Sequence, residues 1–123
     1  MTEMKDTRER IRELAEIEGI YDEKAYMFVM IAVERVIKSL SGPPRHISGS
    51  ELLEGIVEYA REEFGPMAKE VFNFWGVEKS VDFGRIVFSL VEAGMLEKTE
   101  KDSLEDFRQK LDFEKIFEDG YFE

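Results

Sequence analysis

The chain has 123 residues, no cysteine and a formal charge of −11. The length suits a single domain, and the missing thiols exclude disulfides, thiolate metal centres and cysteine nucleophiles. The charge opposes long-range attraction to nucleic acid and anionic membrane. The longest apolar run, nine residues from Ala25 to Val33, falls far short of a membrane span.

The N-terminal stretch MTEMKDTRERIRELAE has no signal-peptide core, which points to the cytoplasm. Ten Phe, four Tyr and one Trp within a 43% hydrophobic composition are enough to build a core. Asn73 and Gln109 stand alone as amides in a chain that is 37% charged. That balance suggests a thermophilic source, and it marks most charges as members of surface ion pairs.

The spacing predicts a first helix over 7–18, opened by the D-x-x-E pair Asp6 and Glu9 and stopped by Gly19. Its face of Ile11, Leu14, Ala15 and Glu18, joined by Ile17, is only partly apolar, so it packs on one side. Asp22 caps a second helix over 23–40. There Ala25, Phe28, Val29, Ala32, Val33, Val36, Ile37 and Leu40 follow helical periodicity. Tyr26, Met27, Met30 and Ile31 make its first half apolar all round, the mark of a central or interface helix. Ser41-Gly42-Pro43-Pro44 ends this N-terminal helical pair, residues 1–42.

Ser48 and Glu51 form a capping box opening a third helix to Phe64, with a stripe of Leu52, Leu53, Ile56, Val57, Ala60 and Phe64. Pro66 suits the first turn of a fourth helix carrying Met67, Ala68, Val71, Phe72 and Trp75, and Gly76 stops it. Ser80 is the expected cap of a fifth, with Asp82 in its first turn and an inner face of Phe83, Ile86, Val87, Leu90 and Val91. Gly94 and Met95 have the pattern of a Schellman close. Residues 96–107 suggest a short hairpin, and the acidic aromatic tail, 108–123, is expected to dock on the body as a short helix. Gly55 and Gly84 sit inside helices, where Gly costs about 1 kcal/mol against Ala, so each implies close helix approach.

The fold class expected is a mainly α, single-domain bundle. Residues 45–107 have the order of a helix-turn-helix with a wing. A DNA-binding fifth helix needs several cations, yet its polar residues are Asp82, Arg85, Ser89 and Glu92. The test of that reading is the placement of Arg45, Arg61, Lys69, Lys79 and Arg85.

Other constellations are weaker. His46, the one histidine, offers a general base or a metal ligand alongside Glu51 or Asp82, but no HExxH or paired-His spacing supports it, and a backbone-bonded structural role is favoured. Glu54 with Glu58, and Asp102 with Asp106, are i, i+4 pairs able to hold a hard cation, although 28 acids produce such pairs by chance. Phe72, Phe74, Trp75 and Phe83 suggest a pocket or hot spot; aromatic core packing is favoured, with Phe74 pointing away from Phe72 and Trp75.

The strings HISGSELLEG (46–55), FGP (64–66), WG (75–76), DFGRIVF (82–88) and KTEKDSLEDF (98–107) resemble an uncharacterised bacterial small-protein family typical of planctomycetes and verrucomicrobia, as do AYMFV (25–29) and DFE (112–114). The resemblance spans nearly the whole chain but implies no activity, substrate or cofactor, and it transfers no functional residue. The DFG string lacks the companion loops of a kinase.

The resulting expectation is a non-enzymatic module that binds a protein partner or a second copy of itself, without cofactor, metal or membrane. A winged-helix nucleic-acid binder and a small-ligand or metal-dependent enzyme using His46 are the alternatives. The surface residues nominated for binding are His46, Phe74, Trp75, Asp82 and Arg85.

Overall fold

Asp6 accepts the Glu9 backbone N–H at 2.9 Å and starts α1, Thr7–Glu18. Gly19, at φ +65°, ends it, and Asp22 caps α2, Glu23–Ser39, by accepting the Lys24 N–H. The computed structural model describes residues 6–40, 42 and 48–96. His46, Arg45, Asp102, Asp106, residues 97–107 of the expected hairpin and the tail lie outside them. Among the described residues all regular structure is helical.

Ser48 and Glu51 close a reciprocal capping box at the start of α3, Gly49–Phe64. The proline after Gly65 is accommodated in a 3-10 turn, Gly65–Met67, which leads into the short α4, Ala68–Phe74. The fifth helix, α5, covers Ser80–Glu92. Helices α4 and α5 both end in Schellman closes. Val77 N–H donates to Phe72 O and Met95 N–H to Leu90 O, with Gly76 and Gly94 at φ +90° and +78°.

The molecule is a helical bundle around α2, which packs on α1, α3 and α5. The composition of α2 explains this: its first half carries apolar residues on every side. Phe28 is the hub. Its ring stacks on Tyr59 at 4.7 Å and meets Phe72 at 5.4 Å, Trp75 at 5.6 Å and Phe64 at 5.8 Å. On the α2–α3 surface, Arg35 bridges to Glu62 at 2.7 Å and lies 4.6 Å over the Tyr59 ring. Such exposed pairs each contribute little on their own.

Three periodic stripes overrun the core. Ile17, Ile37 and Met67 belong to apolar faces in sequence but stand exposed, because α1, the end of α2 and the 3-10 turn have no described neighbour there. The expected cap of α5 is also displaced. Ser80 is buried within the first turn and Lys79 occupies the cap position, because the Asp82 carboxylate reaches back to satisfy the turn instead.

Gly55 marks a close approach of α3 to α2: a Cβ there would run into the Val36 side chain. Gly55→Ala is therefore expected to destabilise the protein by about 1 kcal/mol, despite Ala's better helix propensity. In a Val36→Ala background the same change should become stabilising by about 1 kcal/mol. Urea unfolding of the four proteins checks the reversal of sign.

Candidate functional site

Two turns meet at one end of the bundle. The Asp22 N–H donates to Trp75 O at 3.0 Å, tying the α1–α2 turn to the α4–α5 turn. Gly76 is needed at this crossing twice over: its φ is +90°, and a Cβ would lie 3.0 Å from Ile20 O.

Asp82 organises the crossing. Its Oδ2 accepts the backbone N–H groups of Glu78 and Lys79 at 2.8 and 2.9 Å. Its Oδ1 accepts the Tyr21 hydroxyl at 2.6 Å and Arg85 Nη1 at 3.3 Å. One carboxylate thus joins α5 to the loop before it and to the α1–α2 turn. A second phenol–carboxylate bond, Tyr26 to Glu18 Oε1 at 2.5 Å, locks α1 against α2.

Both phenols are harder to ionise than a free tyrosine. Burial pushes Tyr21 up to about 12, reinforced by its bond to the Asp82 carboxylate. Burial and then the Glu18 bond raise Tyr26 as well. The folded state holds protons that the unfolded chain releases near pH 10. The stability these groups contribute is complete below pH about 10 and is lost as the pH rises toward 12. Denaturant unfolding across this alkaline range should show the fall, and Tyr21→Phe should make it shallower.

Beside this network lies a hollow of about 380 Å³ between the α1–α2 turn and α5. Ile20 and Phe88 supply its apolar surface, and Glu18 and Arg85 its charges. Ile20 is 63% and Phe88 39% exposed. Neither was singled out from sequence. The available signal was Phe88 three residues after Arg85, on the side of α5 opposite its inner stripe.

The nominated residues separate. Arg85 lines the hollow, while Phe74 stands 85% exposed on α4. Trp75 and Asp82 are corrected as surface candidates: Trp75 is part of the aromatic core, and Asp82 is 8% exposed with its oxygens engaged. His46 lies outside the described residues. Glu51 is held in the α3 capping box. Glu54 and Glu58 are exposed, and among the described residues no group of three His, Asp or Glu could hold a metal ion. Nor is any described helix long and apolar enough to cross a membrane.

No family model, curated protein or solved structure matches this chain. The resemblance noted above therefore stands on its sequence strings alone.

Proposed function

We propose that the protein is a cytoplasmic, non-enzymatic interaction module that docks a protein partner or a second copy of itself at the α1–α2 turn and α5. The exposed pair Ile20 and Phe88, facing one hollow between Glu18 and Arg85, carries this reading. An apolar centre with a charged rim is the usual anatomy of a binding patch. The two charges are already held by Asp82 and Tyr26, so they arrive in fixed orientation without further ordering cost.

Light scattering and pull-down at micromolar protein test the proposal. Phe88→Glu should weaken association by about 30-fold, the loss expected for one hot-spot residue. It should change folding stability by no more than about 1 kcal/mol. A wild-type chain that stays strictly monomeric and captures no partner would refute the proposal.

A winged-helix use of α3 to α5 is the second reading, favoured by the helix order and the short turns between these helices. Charge weighs against nucleic acid as its ligand: Arg85, the cation of α5, is already paired with Asp82.

A further inference from the structure

We propose that the C-terminal segment around Phe113, Ile116 and Phe117 seats in a groove along the outer side of α2 of the same chain. The groove has a volume of about 570 Å³ and is independent of the hollow beside α5. Met27, Met30, Ile31 and Ile37 provide its apolar surface. Their place in a groove separate from the aromatic core explains why a central helix is apolar on more than one face.

Two observations select the occupant. First, Leu96 itself lines the groove. The Schellman close of α5 turns the chain back, and Met95 and Leu96 pack against the core. Leu96 is the last described residue, so the C-terminal sequence follows directly from a residue of the groove.

Second, the sequence that follows is patterned to fill such a surface. Leu104, Phe107 and Leu111 are spaced i, i+3, i+7, and Phe113, Ile116 and Phe117 are spaced i, i+3, i+4. Acidic residues fall between them, as on an amphipathic helix laid in an apolar groove. The thioethers of Met27 and Met30 suit aromatic partners, since sulfur packs favourably at ring edges and the side chains adapt to shape. A tethered segment has a high effective concentration at its groove, which favours it over a free copy.

The full-length chain can be tested directly, because without native cysteine a single introduced thiol is labelled uniquely. A nitroxide is attached at Lys115→Cys, and methionine methyl signals are read by NMR. With label and isotope on one chain, diluted in unlabelled protein, the Met27 and Met30 signals should lose most of their intensity. Met67, which does not line the groove, is the internal control. Adding Phe117→Glu should restore both signals while leaving the helical spectrum intact.

If Met27 and Met30 keep their intensity in the singly labelled chain, the proposal is overturned. Intensity loss appearing instead in a mixture of spin-labelled chains with separate isotope-labelled chains would also overturn it, since the occupant would then be a second copy.

Discussion

Replacing Phe28 by Ala is expected to cost about 3–5 kcal/mol and to lower Tm by on the order of 15–20 °C. The side chain is buried at the centre of five rings: Tyr59, Phe64, Phe72, Trp75 and Phe83. Its removal leaves a cavity that rigid rings on α3, α4 and α5 cannot close, so the loss exceeds simple transfer of the phenyl group. A domain of this size has about 5–15 kcal/mol in total, so a large part of its stability depends on one residue. Guanidinium unfolding followed by Trp75 fluorescence measures it, with Trp75 itself reporting on the cavity. Phe74→Ala on the exposed side of α4 should change stability by less than about 0.5 kcal/mol. Equal losses for the two phenylalanines would contradict the packing described.

Replacing Asp82 by Ala should cost about 3 kcal/mol. The change strands three donors in a partly buried crossing: the Glu78 and Lys79 N–H groups and the Tyr21 hydroxyl. It also removes the negative charge from the first turn of α5, where the helix dipole favours it. Tyr21→Phe removes one donor and leaves the others paired, so its cost should be about 1 kcal/mol. The double variant should cost less than the sum of the two single changes, because the stranded hydroxyl is gone. Thermal unfolding of the four proteins reads the coupling. Strict additivity would mean that Tyr21 and Asp82 do not act together.

Much of the fold was legible because local physics fixes it. Asp6, Asp22 and the Ser48–Glu51 pair satisfy orphan N–H groups within one turn of themselves, and each opens a helix where expected. Gly19, Gly76 and Gly94 adopt positive φ at the predicted stops. Gly55 inside α3 likewise signalled contact before any partner was known, and Val36 is that partner. The cap of α5 departs from the Ser80 expectation because Ser80 and Asp82 compete for the same turn, and a carboxylate with two oxygens prevails over a hydroxyl by serving four donors at once.

The candidate site was mostly illegible. Ile17 and Ile37 look like core residues in a periodic reading, yet burial depends on whether another helix arrives to cover them. Likewise Asp82 and Arg85 are both surface candidates in the sequence, and only the crossing of two distant turns buries one of them.

Helix positions, the caps of α1, α2 and α3, the central role of α2 and the surplus of acid follow from the sequence by itself, since each depends on neighbours within a few residues or on composition. Tertiary structure alone decided the pairing of Tyr21 with Asp82, the ring cluster around Phe28 and the two apolar surfaces that the described helices leave open. The physical reason is that these join residues far apart along the chain, where periodicity tells which side of a helix is apolar but not what it meets.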